Sequence, residues 1–198
     1  IGSRNSALGD GALFANTIGN NNNAFGYSSF NSNTTGIQNT AVGSNSLVYN
    51  TIGTYNVGVG YGSLQFNTTG ASNVAIGAYS LYYNTIGIYN SAFGSDALRN
   101  NTTGIDNNAF GYYALRANTT GNYNVAIGNR SLRFNTFGYS NVAVGYNALY
   151  GNTTGKNNSA FGHNALLYNI IGSSNVAIGF ETLFSSVSGI NSTAVGYQ

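Results

Sequence analysis

The sequence predicts an all-β chain wound as a parallel β-solenoid (β-roll), with one 17-residue repeat to each coil. Three observations carry this prediction. Gly145 recurs as Gly9, Gly26, Gly43, Gly60, Gly77, Gly94, Gly111, Gly128, Gly162, Gly179 and Gly196, always 17 residues apart and with no insertion or deletion. The segments between these glycines are short and rich in Val, Ile, Thr, Phe and Tyr, as strands joined by turns are. A period of 17 is also too short for a pair of helices, which takes about 33 residues, or for a propeller blade, which takes about 40.

Taken in order, the chain keeps register from Ile1-Gly2, which fit the Thr154-Gly155 slot, to Tyr197-Gln198, which fit the Tyr146-Asn147 slot. Residues 1–198 therefore read as one repeat domain of 198/17, or about 11.6, coils. At about 4.8 Å per coil this is a rod on the order of 55 Å long. Solenoid ends normally carry polar caps. Neither end departs from the repeat, so a segment of a longer fibre is expected.

Each repeat reads as two strands, Asn-x-Ala-x-Gly and Ala/Ser-Leu-x-x-Asn-Thr. Alanine stands two before the first Gly in 11 of 12 copies, with Gly58 the exception. Leucine stands four after it in ten of 11 copies, Leu115, Leu132 and Leu149 among them, with Phe30 the exception. Stacked leucines predict a dry spine. Asn forms two further columns, Asn5 to Asn175 and Asn16 to Asn169, broken at Ser192 and Ser186. Asn118, Asn135 and Asn152 belong to the second, and amides stacked at about 4.8 Å form hydrogen-bonded ladders. Both Gly columns, with Gly128 and Gly145 in one and Gly155 in the other, are expected at tight turns that need positive φ.

The residues flanking each alanine vary together. Val-Ala-Ile stands at 74–76, 125–127 and 176–178, Ser-Ala-Phe at 91–93 and 159–161, and Asn-Ala-Phe at 23–25 and 108–110. Large residues pair with small ones, as a close-packed space requires. The flanking face is expected to fill the coil's interior and the alanine face to press against a partner. Apolar burial inside one 17-residue coil is small against the entropy of ordering it. Self-association, as a homotrimer or a filament, is the expectation.

Composition narrows the function. Charged residues make up 5% of the chain against roughly 25% in ordinary soluble domains, which resembles a fibre. The net charge of +2, with no dense run of Lys or Arg, argues against nucleic acid. No apolar run approaches the roughly 20 residues of a membrane-spanning helix, so membrane insertion is not expected.

The Asn-Val-Ala-Ile-Gly phrases at 73–77, 124–128 and 175–179 resemble the head repeats of trimeric autotransporter adhesins. Asn-Thr-Thr-Gly at 101–104 and 152–155, followed by Asn-x-Ala-x-Gly, is similar to repeats of phage tail fibres and bacterial surface proteins. The resemblance implies a left-handed trimeric solenoid, extracellular, at a cell surface or on a virion. Its implied role is a shaft or an adhesive surface.

Catalysis is not expected. His163 is the only histidine and occupies a variable slot. Asp10, Asp96, Asp106 and Glu181 form no metal-ligand cluster, and no base attends the many Ser and Thr residues. No metal and no cofactor are expected. The Asn-Thr-Thr phrases fit a glycosylation sequon, yet the same Asn column continues where no sequon exists, which favours a ladder. Arg99, Arg116 and Arg133 share a column on successive coils, with Tyr82 before them and Tyr150 after. Such a stripe offers bidentate donors and stacking faces to an anionic cell-surface glycan. Tyr49, Phe66 and Tyr83 form a neighbouring aromatic ladder. Thr69 and Thr103 alternate with Ile52 and Ile86, a Thr column that also raises an ice-binding reading.

Overall fold

In the computed structural model, which describes residues 2–197, the chain is a parallel β-solenoid with one 17-residue coil per repeat. Ile1 and Gln198, the outermost residues of the expected register, lie outside the described residues. The strands are β1 (Ser6–Leu8), β2 (Asn23–Phe25), β3 (Thr40–Val42), β4 (Val57–Val59), β5 (Val74–Ile76), β6 (Ser91–Phe93), β7 (Asn108–Phe110), β8 (Val125–Ile127), β9 (Val142–Val144), β10 (Ser159–Phe161), β11 (Val176–Ile178) and β12 (Thr193–Val195). They form one parallel sheet in chain order. Each residue pairs with its equivalent one repeat on, as Ala109 with Ala126 and Phe110 with Ile127.

Each coil carries one strand where two were expected. The Ala/Ser-Leu-x-x-Asn-Thr segment is a run of turns. Its leucine takes positive φ throughout, 51° at Leu115 and 48° at Leu132, which no strand accommodates. The left-handed conformation costs a bulky residue on the order of 1 kcal/mol. Burial opposes that cost, since Leu47 to Leu166 are fully buried and stack into the expected spine. Backbone bonding between coils persists without a strand: Leu115 N–H donates to the Ser131 carbonyl at 3.0 Å.

The expected orientation of the sheet is reversed. Alanines 24, 41, 75, 92, 109, 126, 143, 160 and 177 are fully buried and join the leucines in the core. Their larger neighbours point outward: Phe110, Ile127, Phe161 and Ile178 are about two-fifths exposed. A 17-residue coil is too narrow to enclose a Phe or Ile opposite the leucine and the small Ser/Ala column before it. Gly58 marks how tight this interior is. The Ser46 hydroxyl donates to the Gly58 carbonyl at 3.0 Å, and an added Cβ would lie 2.6 Å from it.

The two glycine columns have different causes. Gly128 and Gly145, at φ 126° and 134°, end their strands in a conformation closed to L-residues, as expected. The column containing Gly104 and Gly155 does not take positive φ. There a Cβ would collide with the Asn side chain three residues earlier and with the glycine carbonyl of the next coil, 2.5 Å away for Gly104. Close approach of the coils, not φ, excludes every other residue.

Both Asn columns form buried ladders, the first continuous and the second interrupted between Asn33 and Asn50, where Asn33 Oδ1 is buried without a donor. Asn124 Nδ2 donates to Asn107 Oδ1 at 3.1 Å and to the Gly138 carbonyl at 2.9 Å. Asn124 Oδ1 accepts the backbone N–H and Nδ2 of Asn141, both at 3.1 Å. In the second column Asn135 Nδ2 donates to Asn118 Oδ1 at 2.9 Å, and Asn152 Nδ2 to Asn135 Oδ1 at 2.7 Å. Each of these also donates to a glycine carbonyl three residues on. Where Ser186 replaces Asn, the ladder stops and Asn169 Oδ1 is left buried without a donor. The Asn-Thr-Thr amides are fully buried in the folded rod, so the ladder reading of these sequons holds.

Candidate functional site

Side chains outside the ladders and the core spread over the faces of the rod, and no pocket opens among the described residues. A binding site must therefore be built from neighbouring columns on a surface. The repeat aligns three of them: Tyr79, Asp96, Tyr113 and Arg130 two residues after the strand-ending glycine; Tyr82, Arg99, Arg116, Arg133 and Tyr150 three further on; and Tyr83 and Phe134 one beyond.

All five residues singled out by spacing meet here, tied together through partners that spacing did not identify. Arg99 Nη1 donates to Asp96 Oδ1 at 2.8 Å, and Arg116 Nε lies 3.7 Å from the same oxygen. The Arg99 guanidinium also stands over Tyr79 at 5.2 Å and Tyr82 at 5.6 Å. Arg116 covers Tyr113 at 5.1 Å, and Arg133 lies 4.8 Å from the same ring. Arg133 further reaches Phe134 at 5.1 Å and Tyr150 at 5.8 Å, and its Nη1 donates to the Tyr150 hydroxyl at 3.3 Å. Tyr113 and Asp96 escaped the column reading because their slot has no constant character, holding Gly11, Ser28, Asn45, Tyr79, Arg130 and Glu181 on other coils. The detectable signal was the Asp96 to Arg99 spacing of three, repeated at Tyr113 to Arg116.

Electrostatically the cluster is a cationic strip set against aromatic rings. Four guanidiniums (Arg99, Arg116, Arg130, Arg133) against the carboxylate of Asp96 leave a surplus of three positive charges (4 − 1). Side-chain exposure is 28% for Arg99 and 31% for Arg116, but the Nε of each is buried without a hydrogen bond, so an incoming anion would have to approach from the Nη side. Desolvation, followed by neighbouring Tyr83 and Tyr79, pushes the Tyr82 phenol above its ordinary value, with Arg99 opposing. Its hydroxyl stays a neutral donor.

The aromatic ladder is realised as a stack: Phe66 lies 5.1 Å from Tyr49 and 5.5 Å from Tyr83, nearly parallel to both. A second stack was not foreseen. His163 is sandwiched between Tyr146 and Phe180 at 5.1 Å each, and Phe180 stacks on Tyr197. These positions share the slot after the strand-ending glycine, where variability hid the aromatic run.

On the remaining face the inner Thr hydroxyls are committed to structure. Thr102, Thr119 and Thr136 each donate to the carbonyl one coil on, at 3.0–3.1 Å. The outer column there mixes exposed Thr with exposed Ile52, Ile86 and Phe137. Among the described residues no three His, Cys, Asp or Glu side chains gather to hold a metal, and no helix is long and apolar enough to cross a membrane. Compared with protein-family models, curated proteins and solved structures, the chain matches none.

Proposed function

We propose that this chain is a shaft segment of an extracellular fibre or filament, as in a surface adhesin or a phage tail fibre. It supplies reach, stiffness and repeated display, and it associates with copies of itself. It has no catalytic role. The observation that carries this reading is the pair of buried Asn ladders running through coils of identical length, the first unbroken and the second interrupted only between Asn33 and Asn50. The first ladder ties every neighbouring pair of coils from Asn5 to Asn175. Nearly all its invariant positions are occupied by ladder, turn and spine, so the surface columns are free to vary. The test is the native particle: antibodies raised to the rod are expected to decorate a thin projecting fibre in electron micrographs. Labelling confined to a globular soluble complex overturns the proposal.

The Arg–Tyr strip favours a second reading, an adhesive module for anionic cell-surface glycan. Its guanidinium Nη groups and flat rings suit sulfate or carboxylate groups on sugars. Arg116→Ala is expected to reduce binding to an acidic glycan array about tenfold, the loss typical of one charge-assisted contact. Unchanged binding ends this reading. The ice-binding reading draws little support from inner Thr hydroxyls already bonded to carbonyls, and thermal hysteresis measures it directly.

A further inference from the structure

We infer that the outer face of the twelve-stranded sheet is the surface through which copies of this chain associate, side by side, parallel and in register. The inference rests on the self-association proposed above and names its face and geometry. Four observations carry it.

First, this face bears no charge. All ten Lys, Arg, Asp and Glu residues of the chain lie on other columns, and none is among the outward residues of β1 to β12. Second, the face is an apolar stripe running the length of the rod, through Val42, Ile76, Phe110, Ile127, Phe161 and Ile178. Two outward side chains per strand make it about 10 Å wide, so over some 50 Å two copies would bury about 1,000 Å² in total, enough for a specific interface.

Third, the outward residues compensate one another in volume. Every Phe of the stripe follows a small polar residue, as in Ser91/Phe93 and Asn108/Phe110, while every Ile follows Val, as in Val125/Ile127. Water imposes no such limit on an exposed face. A packed space does. Fourth, the geometry of a parallel pair explains which residues compensate. When an axis along the rod relates two copies in register, the first outward column of one lies opposite the second outward column of the other at the same level. Phe then meets Ser or Asn and Ile meets Val at the seven coils that carry them, and Val meets Thr or Val at four of the others. An antiparallel pair sets unrelated levels against each other, and only a partner with the same coil spacing engages them all.

The test is the mass and geometry of the intact chain in solution. Wild type is expected by light scattering at a multiple of 20.6 kDa. Phe110→Asp/Ile127→Asp, which changes only partly exposed side chains, is expected to be a folded monomer by circular dichroism. Asn108→Val overfills one level and is expected to weaken association about tenfold, and Asn108→Val/Phe110→Ile, which rebuilds a Val-Ala-Ile coil, to restore it. A spin label at Phe14→Cys, exposed near one end of a chain with no native cysteine, is expected to report a label pair far closer than the length of the rod. A wild-type mass of one chain overturns both this inference and self-association. A multimer indifferent to the two aspartates overturns the face and leaves self-association standing. Failure of the Val/Ile pair to restore assembly, or label pairs separated by the rod's length, overturns the parallel register.

Discussion

Replacing Gly128 with alanine is expected to abolish cooperative folding of the central coils, with a loss of more than about 4 kcal/mol. Two penalties coincide at this position. The backbone sits at φ 126°, where an L-residue is strained in any surroundings. A Cβ would also lie 2.6 Å from the Gly145 carbonyl oxygen and 2.7 Å from its carbon. The next coil cannot withdraw, because Gly145 N–H is bonded to the Ile127 carbonyl at 2.8 Å. Relief therefore requires separating two coils, which breaks the sheet and both ladders at that level. Gly151→Ala is the control: its φ is not positive, and the same column holds Ala15 and Ala117. It is expected within about 1 kcal/mol of wild type. Denaturant unfolding of the two variants checks the contrast, and equal stability contradicts the close-approach account.

Asn124→Ala is expected to destabilise the rod by about 2–4 kcal/mol. The substitution removes the acceptor for the buried Asn141 backbone N–H and for Asn141 Nδ2, and one of two amide donors to the Gly138 carbonyl. Asn135 still donates to Gly138, so that carbonyl is not orphaned and the Asn141 N–H carries most of the penalty. Asn124→Asp separates the donor from the acceptor function. Its carboxylate still accepts from Asn141 but faces the Gly138 carbonyl and Asn107 Oδ1, both acceptors. Burial and this repulsion hold such a carboxyl above its unfolded pKa. The folded state then binds more protons than the unfolded one, so stability falls as pH rises from the ordinary carboxylate range to the raised value. Thermal melts of Asn124→Asp at acid and neutral pH measure this. Greater stability at neutral pH contradicts the ladder geometry.

Coil length, sheet register, leucine spine and both ladders were legible in the sequence because each depends on one residue type repeated at one spacing. Two features were not. The second strand was misread because Leu, flanked by apolar and β-forming residues, shows no local sign of the left-handed conformation it adopts at Leu115 and Leu132. The sheet was read inside out because alternation along a three-residue strand is symmetric with respect to its faces. Interior width decides between them, and width depends on how the turns close. The same reversal changed the meaning of the Phe/Ser and Ile/Val compensation, which a single coil does not explain once both residues point outward. At the Arg–Tyr strip, spacing located the five column residues but not Asp96 and Tyr113, which reach them from the neighbouring column.

The uniform coil also governs how the rod yields when pulled by its ends. Tension peels the terminal coil first, since each coil holds only its neighbours. One unwound 17-residue coil releases about 55 Å of extended chain, nearly the length of the entire folded rod. A rod of uniform coils is thereby a reel under axial load, doubling its span at the loss of one coil in about eleven while the remaining coils stay wound.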